Sequence, residues 1–555
     1  MTAPRWALAE RRAALERAER DGVDLLVVGG GITGAGVVRD AASRGLRTLL
    51  VERSDFATGT SSRSSKMIHG GLRYLAEGHL GLTREACRER DLLMRNNPHL
   101  VRPVPFLFPS YEGGRYSVLT VRAALSTYAA MASFRRSARF RMLGPDEVGG
   151  YSRDLRQEGL RGAGMYCDGQ TDDARLVLET LRSAIRLGAA VASYAEVSEL
   201  LHDGGGRLTG ARIRDRVAGR DYAVRSHAVV NAAGAGVERV RGLDRPVRKP
   251  ELRPAKGVHV VIPRNRVHAA GAVTFEAPDG RQLFWAPWDD VAFVGTTDTF
   301  SDEIDEPVVT IEEVHYLLEA ANEAFPRAGL TTNDIRSVWA GVRPLVASPD
   351  EATPPSSVSR DYRIYEDPSG LISVAGGKLT THRATGEAVV KRVLKLLPRD
   401  RRNAAGPSRT ASLPLRDDAF DFETLVADLR ARHGLPAGAV DHLVRTHGAD
   451  AELVLAEAPA AERATIGGSR YTFAEIRWSM QRDCALTLCD LLERRMRLAL
   501  FAVGQGLPEL DAIARVAGEA AGWDEERVHA EAADYARSVR RRYQIQPPTP
   551  ERHAA

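Results

Sequence analysis

The stretch Val23-Asp24-Leu25-Leu26-Val27-Val28-Gly29-Gly30-Gly31-Ile32-Thr33-Gly34-Ala35-Gly36 decides the fold. A short apolar run stopped by glycines reads as a strand buried on both faces. Gly34 to Ser43 then reads as a helix and Arg47 to Glu52 as a second strand, which completes a βαβ unit. Within it, Gly29-x-Gly31-x-x-Gly34 has the spacing of a dinucleotide fingerprint. Gly29 serves the tight turn, Gly31 lets the backbone approach a pyrophosphate at the helix N-terminus, and Gly34 allows close helix packing. Glu52, 23 positions after Gly29, is placed to accept from both ribose hydroxyls, and its charge disfavours a 2′-phosphate and hence NADP. The fingerprint by itself does not separate FAD from NAD.

Outward from this unit, Trp6 to Arg20 has helix-forming composition. Pro98, Pro103, Pro105 and Pro109 suggest that the chain leaves the nucleotide fold there. Leu176 to Leu187 reads as helix, Ala190 to Leu200 as strand, and His227 to Asn231 as a return to the sheet. Alternating segments from Gly257 to Thr297 predict a mostly antiparallel second sheet. Leu371 to Ala375 reads as a last buried strand, followed by a helix from Thr380 to Leu397 and a hinge from Pro398 to Pro414. Phe420 to Tyr543 has helical periodicity with few strand formers.

Composition sets the bounds. The 555 residues carry 77 Lys plus Arg against 73 Asp plus Glu, with 43% hydrophobic residues, which fits a multidomain globular chain and excludes disorder and collagen. The apolar run Leu25 to Val38 is too short and too glycine-rich to span a bilayer, and the arginine-rich first twenty residues lack the pattern of a secretory signal. Four cysteines give neither a disulfide framework nor a zinc spacing, so no metal is expected and a reducing compartment is. Only six lysines stand against 71 arginines.

The run Thr60-Ser61-Ser62-Arg63-Ser64-Ser65-Lys66-Met67-Ile68-His69-Gly70-Gly71-Leu72-Arg73-Tyr74 follows the second strand directly. With Gly30 to Gly36 upstream, it resembles the FAD-dependent glycerol-3-phosphate dehydrogenases of the amino-acid-oxidase-like flavoprotein superfamily. Further similar motifs follow in the family's order: Asp172 to Leu176, Asn231 to Gly234, Lys256 to His259, Gly295 to Asp298, Gly341 to Leu345 and Gly376 to Thr381. The sequence departs from the family at Val258, at His382 where Tyr is common, and in its first twenty residues.

The resemblance implies an α/β fold: a Rossmann-like FAD-binding domain, an antiparallel β-sheet substrate domain and a C-terminal all-helical domain. The expected division is an N-terminal helical extension over 1–20 and a discontinuous FAD-binding domain over 21–100, 160–235 and 340–397. A substrate (cap) domain takes 101–159 and 236–339, a linker 398–414 and the helical domain 415–545. It implies non-covalent FAD held by Gly29, Gly31, Ile32, Thr33, Gly34, Glu52, Thr60, Ser61, Ser62, Ser65, Lys66, Ile68, His69, Gly70, Val197, Ala233, Gly234, Gly377, Lys378, Leu379 and Thr380. The Ser/Thr run suits the FAD phosphates, Lys66 an isoalloxazine edge or a phosphate, and the helix opening at Gly376-Gly377-Lys378 would stabilise negative charge on reduced flavin.

The implied reaction is oxidation of sn-glycerol 3-phosphate to dihydroxyacetone phosphate by hydride transfer to flavin N5, with electrons passed to membrane quinone. Arg73, Tyr74, Arg343, Lys378 and Thr381 are the expected substrate-binding residues, and His259, Arg343 and Lys378 the catalytic ones. A base titrating near neutrality is wanted for the hydroxyl proton; His259 is preferred and His69 is the alternative. Two rival readings are a soluble glycerol-3-phosphate oxidase that makes hydrogen peroxide and a non-catalytic flavin-binding protein. Gly113 to Pro145 has no acidic residue and carries Arg115, Arg122, Arg135, Arg136, Arg139 and Arg141 among Val118, Leu119, Tyr128, Met131, Phe134, Phe140 and Met142. The pattern fits an interfacial helix on an anionic membrane surface or a solvated basic helix with an ordinary core face; the resemblance, to a family that passes electrons to membrane quinone, favours the first and implies a cytoplasmic protein attached peripherally to the cytoplasmic membrane. A second basic run spans Arg537 to Arg542. No nucleic-acid partner is expected, and a homodimer is allowed.

Overall fold

The computed structural model describes residues 6–76, 78–132, 139–247, 250–347, 361–416 and 420–547, without the side chains of Arg73 and Ala76. Val23–Val28 lies inside the first sheet, parallel to Thr48–Val51 on one side and Arg220–Asn231 on the other, with Val28 opposite Val51 and Asn231. Ala190–Ala192 extends one edge, and Ile372–Gly376 with antiparallel Tyr362–Glu366 the other. All six residues of the first strand are buried, as its unbroken apolar pattern requires. Ile32–Ser43 covers the sheet between the helices Asp173–Arg186 and His382–Leu396. A Cβ on Gly34 would lie 2.0 Å from the Gly29 carbonyl oxygen, so only glycine lets this helix start so close to its strand.

The second sheet runs in the order 299–300, 255–263, 291–295, 282–288, 272–276, 101–111, 160–171 and 67–68. Ser337–Arg343 pairs with the free edge of Ala255–Pro263, Gly257 opposite Gly341. Two strands lie differently from expectation. Leu160–Thr171 and Ser337–Arg343, allotted in whole or part to the FAD-binding domain, hydrogen-bond within this second sheet. Val101–Tyr111 is an eleven-residue strand despite three prolines. Pro103, Pro105 and Pro109 have the same parity, so their missing N–H groups fall on one edge, where pairing covers only Phe106 and Leu107.

Helices Phe422–His433 through Glu525–Arg542 make the C-terminal region. Leu491, Leu500, Tyr535 and Val539 share one apolar core with Val261, Ala286 and Trp339 of the second sheet. The segment read as a hinge is docked: Arg39 donates to the Leu413 carbonyl at 2.8 Å and Arg409 to that of Ser43 at 3.1 Å. No helix of the described residues is long and apolar enough to cross a membrane.

Candidate active site

A cavity of about 480 Å³ follows the C-terminal ends of the parallel strands, where ligands bind in open α/β sheets. Its lining includes Gly29, Gly31, Ile32, Thr33, Glu52, Thr60, Ser61, Val197, Ala233, Gly234, Gly377, Lys378 and Leu379. These are thirteen of the expected FAD contacts, and they fit the dinucleotide. Gly31 N-caps the helix at the cavity wall, and Ile32 N–H donates to Ser61 Oγ at 3.0 Å. Glu52 accepts from the N–H groups of Gly30 (2.7 Å) and Ser54 (2.9 Å), and burial pushes its carboxyl above the ordinary value despite those bonds. Each carboxylate oxygen keeps a further lone pair for a ribose hydroxyl.

The other expected contacts lie outside that lining. Gly34 is packed against Gly29, and Ile68 belongs to the core. Gly70 N–H donates to Asp168 Oδ1 at 3.2 Å. His69 and Thr380 hold each other: His69 N–H donates to Thr380 Oγ1 at 3.2 Å, and Thr380 Oγ1 donates to the His69 carbonyl at 3.3 Å. Lys66 is fully buried; its Nζ donates to Asp173 Oδ1 at 2.8 Å and to the Ser62 carbonyl at 3.3 Å. Burial and Arg497 push it down to about 8 against the pull of Asp173. The helix expected to open at Gly376 begins at His382 instead, because Gly376 and Gly377 have φ of 78° and 99°, outside the helical region. Their turn presents Lys378 to the cavity.

Around Lys378 the substrate candidates gather. Its Nζ lies 3.7 Å from the ring centroid of Tyr74, whose ring is 6.0 Å from that of His69. Thr381 is buried just before the helix at His382. The Arg73 side chain lies outside the described residues. Arg343 ends its strand beside the cavity residue Pro344 and bonds Asp298 Oδ1 and Thr296 Oγ1, each at 2.9 Å. His259 is buried, its Nε2 2.9 Å from Ser65 Oγ. Burial first, then Arg343 and Lys66, hold its pKa well below the ordinary 6.5. The expected near-neutral titration is therefore corrected: His259 is neutral at pH 7.

Several cavity residues were not expected there: Ala195 and Glu196, Arg239, the stretch 304–306 and Arg542. Arg542 belongs to the basic run at the end of the chain, but it bonds Glu306 at 2.9 Å and Glu493 at 3.1 Å. The helix Val118–Met131 turns Val121, Leu125, Tyr128 and Ala129 into the protein, and a Cβ on Gly164 would lie 2.4 Å from Leu125. The apolar residues assigned to lipid are thus partly core, while Leu119 stays 75% exposed. Arg135 and Arg136 lie outside the described residues.

A Rossmann-like sheet with this cavity against a mostly antiparallel sheet has the architecture of a dinucleotide-dependent oxidoreductase, and the matches to known proteins make that dinucleotide FAD. The family described as FAD dependent oxidoreductase matches residues 24–392, and the C-terminal domain of alpha-glycerophosphate oxidase matches 408–528. An aerobic glycerol-3-phosphate dehydrogenase of Staphylococcus aureus (strain USA300) is 35% identical over 502 residues, 89% of this chain and 90% of the relative. The crystal structure of glycerol-3-phosphate dehydrogenase from Bacillus halodurans complexed with FAD is 30% identical with a TM-score of 0.78, covering 97% of this chain and 99% of that one. L-alpha-glycerophosphate oxidase from Mycoplasma pneumoniae, with FAD bound, shares the fold at a TM-score of 0.52 and 18% identity, over 67% of this chain and 94% of that one. The chain belongs to the FAD-dependent glycerol-3-phosphate dehydrogenase family, and FAD is its cofactor.

Proposed function

We propose that the protein oxidises sn-glycerol 3-phosphate to dihydroxyacetone phosphate and passes the electrons to membrane quinone. The observation that carries this reading is Lys378 held over Tyr74 at the flavin cavity, in a chain matched almost end to end by an aerobic glycerol-3-phosphate dehydrogenase. Lys378, Arg343 and Arg73 supply cations for the phosphate dianion, with Tyr74 and Thr381 shaping the floor. FAD held by the residues of this cavity would supply the two-electron acceptor for the hydride leaving C2 of the substrate. His259 accepts the hydroxyl proton as a neutral imidazole whose Nε2 exchanges Ser65 for the substrate. Arg343 steadies the negative charge growing on that oxygen.

Attachment to an anionic membrane is proposed through the exposed face bearing Leu119 and Arg122. The test is anaerobic bleaching of the bound flavin by glycerol 3-phosphate but not glycerol, followed by turnover with a soluble quinone analogue while peroxide is measured. Stoichiometric peroxide with poor quinone turnover establishes the oxidase reading, which the match to an alpha-glycerophosphate oxidase C-terminal domain favours. Failure to sediment with anionic vesicles removes the membrane reading.

A further inference from the structure

The flavin cavity is walled in part by Thr60, Ser61 and Ser64. The following residue, Ser65, meets His259, and Lys66 lies 5.1 Å from the centroid of Trp339, on which His259 stacks. One loop therefore links the flavin wall to the proton acceptor. Loops of small polar residues have little apolar surface to fix them, so their geometry depends on what grips the backbone.

Two groups grip this one. Asp173, fully buried, accepts from Ser64 N–H (2.9 Å), Ser64 Oγ (2.7 Å) and Lys66 Nζ (2.8 Å). The second grip comes from more than four hundred residues along the chain. Arg497, 4% exposed, donates through Nη2 to the Ser62 carbonyl at 2.8 Å and to Asp173 Oδ1 at 3.1 Å. Its Nη1 is tied to the Glu493 carbonyl at 3.0 Å, and its Nε faces Asp172 Oδ2 at 3.6 Å. Arg497 itself has φ of 64°, in the left-handed region, just before Leu498–Phe501. The segment before it is held to the FAD-binding part by Arg494 and Arg495 on Asp55. A planar guanidinium satisfies these acceptors together, whereas an ammonium cannot span them all.

We propose that Arg497 is a positioning residue of the flavin site: by holding Ser62 and Asp173, it makes the C-terminal helical region fix the loop 60–66 that lines the cavity and carries Ser65 onto His259. The helical region thereby acquires a task in building the flavin site besides burying the second sheet. The inference rests on FAD binding, not on the identity of the oxidised alcohol.

The experiment uses full-length Arg497→Gln and Arg497→Lys, stripped of flavin and titrated with FAD by fluorescence quenching, with thermal midpoints measured for apo- and holoprotein. Arg497→Gln is expected to bind FAD about tenfold or more weakly, since charge-assisted hydrogen bonds are lost, and Arg497→Lys to recover only part of that loss, because an ammonium keeps the charge but cannot reach every acceptor. Hydrogen exchange in the peptide covering 60–68 is expected to quicken in Arg497→Gln. A lower thermal midpoint with wild-type FAD affinity and wild-type exchange in that peptide would overturn the proposal and leave Arg497 a structural tie. Should Arg497→Gln fail to fold, Arg497→Lys decides alone: unchanged FAD affinity and unchanged exchange in the loop overturn the proposal. None of these readouts involves glycerol 3-phosphate, so the substrate reading and this one fail separately.

Discussion

His259 lies flat on Trp339, ring centroids 4.4 Å apart and planes 4° from parallel, while its Nε2 meets Ser65 Oγ at 2.9 Å. Burial, and after it the charges of Arg343 and Lys66, keep the imidazole neutral, and a phosphate dianion arriving beside it favours the protonated form. The pH profile of kcat/KM, which reports the free enzyme, should show no His259 inflection between pH 6 and 8, and the inflection in kcat should lie higher. His259→Gln should lower the rate of anaerobic flavin reduction by about a hundredfold or more without releasing FAD. Stopped-flow reduction across pH checks both; an unchanged rate in His259→Gln moves the proton acceptor elsewhere, with His69 next in line.

The two fingerprint glycines should fail in different ways. A Cβ on Gly31 meets only Ser61 Oγ, at 3.1 Å, so the apoprotein tolerates a side chain there that intrudes on the pyrophosphate. A Cβ on Gly34 would sit 2.0 Å from the Gly29 carbonyl oxygen, a backbone atom that cannot step aside. Gly31→Val should give folded protein without the visible flavin spectrum. Gly34→Ala should lose about 2 kcal/mol or more of stability whether or not FAD is present. Circular-dichroism melts beside flavin absorbance distinguish the two.

His382 gives the stability a definite pH dependence. It is buried, its Nδ1–H donates to the Leu379 carbonyl at 2.8 Å, and burial pushes it down to about 4 from 6.5. The fold thus prefers the neutral ring, and between pH 6.5 and 4 the unfolded chain binds the extra proton. Stability falls as pH drops through that window. His382→Phe should be less stable at pH 7, having lost the Leu379 bond, yet lose less on acidification. Urea unfolding at pH 7, 5.5 and 4.5 measures both effects; parallel losses in the two proteins would refute the assignment.

The parts of the fold legible in the sequence are those where burial and local geometry agree. Val23–Val28 is buried on both faces and therefore reads as an unbroken apolar run, and the fingerprint glycines sit where backbone must touch backbone. Val101–Tyr111 and Leu160–Thr171 hide their pairing, one behind prolines of a single parity and the other behind glycines. Gly164 stays small because the helix Val118–Met131 presses on it, a long-range reason with no local signature. The resemblance named thirteen residues that line the cavity, Lys378 among them, but the grip of Arg497 on Ser62 joins residues far apart in sequence through one side chain and one carbonyl. No spacing encodes such a contact.

Gly257 offers a test of Arg343 that leaves its charge in place. A Cβ on Gly257 would lie 2.3 Å from Arg343 Nη2, 2.6 Å from Nη1 and 2.6 Å from Thr296 Oγ1. Those are the groups that hold the guanidinium at Thr296 and Asp298, so Gly257→Ala must push it out of its seat. If Arg343 binds the phosphate or the reacting oxygen, displacing it should raise KM for glycerol 3-phosphate about tenfold, and Arg343→Ala should cut kcat/KM by about a hundredfold or more. FAD content should be wild-type in both, because Arg343 stands beside the cavity rather than in its lining. A Gly257→Ala enzyme with wild-type kinetics, next to a crippled Arg343→Ala, would mean that charge rather than placement matters there. Wild-type kinetics in both would remove Arg343 from the site, leaving its bond to Asp298 as a tie within the second sheet.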